Sequence, residues 1–160
     1  MEHSSLFDEY RQILTKISRD ITQYYSAHEA YLRTFPKEIH KGLFSTDADT
    51  EKIFRGYFIY IHALTDTLKL ADSSANVLGE LILRADRAMQ SEIILRCNRT
   101  MDKYISYRAS VTEYLRINEN EINTKKQNAS LQFLFNTATE LKRKTELFLK
   151  WLNEESLSES

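Results

Sequence analysis

Apolar and aromatic side chains recur along the chain at alternating steps of three and four residues. The first stripe runs Phe7, Tyr10, Leu14, Ile17, Ile21, Tyr24, His28, Tyr31 and Phe35. A mean step near 3.5 keeps such positions on one side of an α-helix, facing a neighbour as in a bundle or coiled coil. The pattern predicts a helix over about 4–34, closed by Pro36 and Gly42, because proline disfavours helical geometry in the residue before it. Residues 36–46 are then expected as a loop. A helix start follows in Ser45-Thr46-Asp47-Ala48-Asp49-Thr50-Glu51. Its hydroxyls and carboxylates suit the unpaired amides and the positive dipole end of a first turn.

A second stripe reads Phe54, Tyr57, Ile61, Leu64, Leu68, Ala71, Ala75, Leu78, Ile82, Ala85, Met89, Ile93 and Cys97 without losing phase. Within it, Asp72-Ser73-Ser74-Ala75-Asn76 is rich in residues that bond their own backbone and favour turns. A turn there gives helices over about 47–72 and 74–117; no turn would give one long arm. Asn118–Ser130 is polar and reads in part as a loop. The last helix, about 130–153, carries Leu131, Leu134, Ala138, Leu141, Phe148 and Trp151 or Leu152, and 156–160 are expected to fray. The expected fold is all-α, one helical domain over 1–160 built as an antiparallel four-helix bundle, or five helices with one further break.

Composition sharpens this picture at few points. Three glycines and one proline leave little room for the turns of a β-rich fold. Twenty-two basic against 23 acidic residues give a net charge of −1, so no global field draws in nucleic acid or anionic membrane. Cys97, the only cysteine, lies on the apolar stripe and reads as a small core residue. No apolar run approaches a membrane span, and Met1–Tyr10 is unlike a signal peptide, so a cytoplasmic location is expected.

Candidate chemistry is sparse. His28 with Glu29 and His62 with Asp66 are the nearest approaches to a metal-ligand pattern, and neither is matched by a second set on another helix, so no metal or cofactor is expected. Arg55-Gly56-Tyr57-Phe58-Ile59-Tyr60-Ile61-His62 resembles, in its two end residues, the Arg-x(4–6)-His pattern of the HEPN family of helical ribonucleases. That resemblance implies His62 as general base on a 2′-hydroxyl and Arg55 on the scissile phosphate. Arg33 to His40 matches the spacing too, but contains Pro36.

Arg84, Arg87, Arg96, Arg99, Lys103 and Arg108 form a basic cluster in the third helical region. It offers a face for phosphates of RNA or lipid, or simply a solvated face with partners along the helix. Tyr104 through Lys126, with Arg108, Leu115, Ile122 and Lys125-Lys126, is similar to the second helix of sorting-nexin BAR domains. This similarity implies an elongated dimer on anionic membrane. No DNA-binding motif is present. Nine tyrosines tend to sit at seam edges, and Tyr24, Tyr25, Phe58, Tyr60 and Tyr107 put aromatic rings where a partner could cover them. The leading expectation is a non-catalytic helical interaction module, an adaptor, assembly subunit or antitoxin-type binder, acting on a protein partner or on itself. A HEPN-like ribonuclease and a BAR-like membrane dimer are the alternatives.

Overall fold

The computed structural model describes residues 5–44, 47–124 and 131–158, with side chains described for 5–33, 55–56, 59–121 and 133–158. The chain is all-α, and no strand occurs among the described residues. Its helices are α1 (Leu6–Phe44), α2 (Asp47–Asp66), α3 (Lys69–Arg87), α4 (Ser91–Thr124) and α5 (Leu131–Leu157). Ser5 caps α1: its Oγ accepts the Asp8 amide at 3.0 Å, and Asp8 and Glu9 place negative charge in the first turn.

Five helices make four rods. Between α2 and α3 the Thr67 and Leu68 amides reach back only three residues, to the Leu64 and Thr65 carbonyls, and the ordinary pattern resumes with Asp72 on Leu68. Leu68 itself is fully buried, so the core stripe passes through the tightened turn. The four rods pack in a ring, α1 against α3 and α5, α4 against α3 and α5. Tyr10 near the start of α1 meets Thr100 near the start of α4 and Glu155 near the end of α5, while Arg84 at the end of α3 reaches Glu9. The rods therefore run up, down, up and down.

The buried positions reproduce the sequence stripes. Tyr10, Leu14, Ile17, Ile21, Tyr24 and His28 line the inside of α1, and Ile61, Leu64, Leu68, Ala71, Ala75, Leu78 and Ala85 that of α2 and α3. Cys97, Tyr104, Val111 and Tyr114 come from α4, and Leu134, Ala138, Leu141, Phe148 and Leu152 from α5. Cys97 is a core residue, and burial pushes its thiol up to about 11.

Five boundaries differ from the sequence pattern. The expected loop over 36–46 is largely helix, because α1 continues through Pro36 to Phe44. A proline removes one backbone bond, and a long helix already anchored by its core stripe can carry that loss. The turn expected at 72–76 is absent. Asp72 gives its carboxylate to Arg108 and Tyr104 rather than to its own backbone, and Ala71, Ala75 and Leu78 stay buried across the segment.

The chain instead reverses at Ala88-Met89-Gln90. There the Gln90 amide bonds the Ala85 carbonyl at 2.8 Å and the Met89 amide bonds that of Asp86 at 3.1 Å. With Met89 at φ 57° this is a Schellman C-cap that uses methionine where glycine is usual. The expected helix over 74–117 is thus broken at Met89, and α4 folds back on α3. Met89 is exposed, so Met89→Gly should relieve the left-handed strain and stabilise the fold by about 1 kcal/mol, read as a higher urea midpoint at unchanged slope.

The polar stretch from Asn118 continues α4 to Thr124. Asn118 is buried: its Nδ2 donates to the Tyr114 carbonyl at 2.8 Å and its Oδ1 accepts from Thr137 at 3.1 Å. Residues 156 and 157, expected to fray, belong to α5, and the Ser158 carbonyl accepts from Arg11 at 3.0 Å. No helix among the described residues is long and apolar enough to cross a membrane.

Candidate functional site

The expected aromatic surface divides between core and rim. Tyr24 and Tyr107, read from sequence as partner-facing, are core residues. The Tyr107 hydroxyl pairs with Thr145 at 2.9 Å, and its ring stacks on Phe148 at 4.9 Å. Burial pushes the Tyr24 phenol up to about 12, with the Thr65 hydroxyl opposing the shift. Both tyrosines lie on helix faces that the bundle covers, and seam spacing alone does not separate an edge from an interior position.

Tyr25 and Tyr60 remain on the rim, each already engaged. Tyr25 donates to Glu146 at 2.6 Å and lies 3.1 Å from Glu29, so two carboxylates hold its phenol well above the usual range. Tyr60 stacks on Tyr31 with ring centroids 4.3 Å apart and donates to the Ala27 carbonyl at 2.9 Å. The Phe58 side chain lies outside the described residues.

The basic cluster is not one open face. Arg84 pairs with Glu9 at 2.7 Å, Arg99 with Glu155 at 2.8 Å and Arg108 with Asp72 at 3.0 Å. Arg96 is buried between Glu92 at 3.2 Å and Glu155 at 3.7 Å, with its guanidinium over the Phe7 ring. Lys103 lies over Trp151, and Arg87 is exposed in the last turn of α3. The sequence counted cations on one helix; apart from Glu92 on α4 itself, the carboxylates that engage them come from α1, α3 and α5 and are distant in the chain.

Arg55 and His62 are both exposed, seven residues apart on α2 and so on one side of it. Neither lines the grooves described below. No group of three metal-ligating side chains converges among the described residues.

Two polar clusters go beyond the sequence pattern, which placed His28 on the core stripe but did not join it or Glu155 to their neighbours. At one end of the bundle Glu155 accepts from Tyr10 at 2.7 Å and from Arg99 at 2.8 and 3.0 Å, tying α1, α4 and α5 together. Mid-bundle, His28 stacks on Tyr24 at 6.0 Å and meets Tyr114 edge-on at 6.2 Å. Neither ring nitrogen of His28 nor the Tyr114 hydroxyl has a hydrogen-bond partner, and burial, with Lys142 as second cause, lowers the imidazole to about 4.

Along α3 and α4 lies an open groove of about 490 Å³. Ala75 and Asn76 form one wall, Met101, Ile105 and Ala109 the other, and the Asp72–Arg108 ion pair lies within it. Leu83, Met89, Leu95 and Ile105 are exposed around this hairpin, at 63%, 88%, 58% and 60%. Antiparallel pairing, fixed by Asp72 against Arg108, puts Leu83 and Leu95 at similar heights near the turn. No family model, curated protein or solved structure matches the chain.

Proposed function

We propose that the chain is a non-catalytic helical interaction module that binds another protein chain, a second copy of itself foremost, through the outer face of the α3–α4 hairpin. One observation carries this reading. Of the nine large apolar side chains exposed among the described residues, six (Leu70, Val77, Leu83, Met89, Leu95 and Ile105) lie on α3, α4 or their turn. A bundle needs none of them for its own core. Leu70 and Val77 lie on the other flank of α3; Leu83, Met89, Leu95 and Ile105 are the exposed apolar positions toward the turn and α4, where such surface marks an interaction site.

The hairpin groove suits a second copy. Its Asp72–Arg108 pair is internally neutralised, so two such faces meet without like-charge repulsion. The small residues Ala75, Gly79 and Ala109 leave room beside the large Leu83 and Ile105, and Gly79 has nothing within 4 Å of where a Cβ would stand. That juxtaposition allows one copy's ridge to enter the other's groove, as a two-fold interface requires.

The test is solution mass against concentration. The wild type should rise toward twice the 18.8 kDa chain mass, while Leu83→Glu with Ile105→Glu, altered only at exposed positions, should stay at the single-chain mass. A wild type that holds 18.8 kDa throughout removes self-association.

A further inference from the structure

On the other flank of α4, its seam with α5 holds two adjoining cavities, each about 320 Å³, which share Ser110 and Lys144. We infer that the Lys103–Trp151 end of this seam is a binding site for a flat organic anion, an aromatic ring system carrying a carboxylate, sulfonate or phosphate.

Register puts Lys103 opposite Trp151 and Ser110 opposite Lys144, as fixed by Tyr107 against Phe148 and Thr145. The floor is aromatic: Tyr107 and Phe148 stack with planes 13° apart, and the Tyr107 hydroxyl is already taken by Thr145. The Lys103 ammonium lies 5.8 Å from the centroid of Trp151, which forms one end wall. Lys144 stands on the opposing helix, displaced by seven residues, or about 10 Å along the axis.

Charge distinguishes the Lys103–Trp151 end of this seam from the adjoining cavity, which Glu113 and Glu140 line. No carboxylate lines the Lys103–Trp151 cavity, and among the described residues neither Lys103 nor Lys144 has a carboxylate within ion-pair distance. Glu140, one turn before Lys144, is held on both oxygens by Arg143 at 3.2 and 2.6 Å. By contrast Arg84, Arg99 and Arg108 each have their own carboxylate. Two cations with no carboxylate in ion-pair contact among the described residues, Lys144 feeling only the field of the Arg143-bound Glu140, stand on opposite walls beside stacked rings. They favour a ligand that brings both the negative charge and the flat apolar body. A volume near 320 Å³ takes a two-ring system. The Lys103–Trp151 cavity shares no lining residue with the Ala75–Ile105 groove on the other flank of α4, so the inference stands apart from the interaction surface proposed above.

The probe is naphthalene-2-sulfonate, titrated into the full chain by calorimetry, with the indole N–H signal of Trp151, the only tryptophan, followed by NMR. Single-site binding that shifts that signal is expected. Lys103→Glu with Lys144→Glu should weaken it at least about tenfold, the milder Lys103→Gln with Lys144→Gln less so, and Leu83→Ser on the far face not at all. Both lysines are exposed, so these variants keep the core intact, as equal helicity would verify. Sulfate alone and neutral 2-naphthol should each bind far more weakly. Absence of binding, equal affinity in the charge-reversed protein, or sulfate binding as tightly as the sulfonate would each overturn the assignment.

Discussion

Glu155→Ala should destabilise the bundle by about 3 kcal/mol, because it strips a buried cation of its buried partner. Glu155 is 7% exposed, and its carboxylate is shared by Tyr10, Arg99 and Arg96 from two other helices. Without it, Arg96, itself 8% exposed, loses that buried carboxylate, and Glu92, its partner along the helix, is 60% exposed and screened by water. The Tyr10 hydroxyl would retain Thr100 at 2.8 Å, so the loss falls chiefly on the charges. Arg99→Ala removes a half-exposed partner from the same carboxylate and should cost about 1 kcal/mol or less. Glu155→Gln, which keeps an acceptor but no charge, should fall between the two. Urea unfolding of the three variants checks this ranking. Equal losses for Glu155→Ala and Arg99→Ala would show that the pairing is a surface contact rather than the tie of three helices.

His28→Leu should make the protein markedly more resistant to acid. In the folded chain the imidazole is buried among Tyr24, Tyr114 and, from α5, the repelling charge of Lys142, and it resists protonation down to about 4. In the unfolded chain it takes a proton near the ordinary 6.5. Between those values the unfolded state binds more protons, so stability is full above about 6.5 and falls as pH drops toward 4. The expected loss over that window is about 3 kcal/mol. At neutral pH, leucine also removes two ring nitrogens that have no partner, a further gain of about 1–2 kcal/mol. The comparison to make is the difference in unfolding free energy between His28→Leu and wild type at pH 7 and at pH 4.5. A difference that does not grow in acid would place the imidazole in contact with water or an unseen partner.

The fold was legible wherever one periodic stripe met one buried face. Positions from Tyr10 to His28, from Ile61 to Leu78, and Ala85 fall in the core as their spacing required, while Ile82 is only partly buried and Leu81, off the stripe, is fully buried. The turns were not legible, for a local reason. The α3–α4 reversal uses Met89 in a left-handed conformation, with none of the glycine or asparagine that would announce it. Conversely, Asp72, Ser73 and Ser74 look like a turn, yet Asp72 is spent across the seam on Arg108 and Tyr104. Proline at position 36 marks a cost to a helix rather than its end.

Candidate sites were less legible still, because pairing partners come from distant segments. The arginines of α4 formed a basic face only until Asp72 and Glu155 were set beside them. Tyr24 stood on the core stripe although it was also read as partner-facing, whereas Tyr107 was grouped with Tyr25 and Tyr60 and only packing separated it from the rim. The lysines of the α4–α5 seam, 41 residues apart from Lys103 to Lys144, had no sequence signal to join them.

The most direct test of the proposed interaction face is site-specific photo-crosslinking in the cells that make the protein. A benzophenone side chain replacing Asn98, which lies between Leu95 and Ile105 on the exposed side of α4, reports on the hairpin face. The same group replacing Lys16 on the exposed side of α1 serves as comparison. A discrete adduct from position 98, absent from position 16 and lost with Leu83→Glu and Ile105→Glu, is the result expected. No adduct at either position, or equal adducts at both, would contradict the α3–α4 hairpin as the surface through which this protein acts.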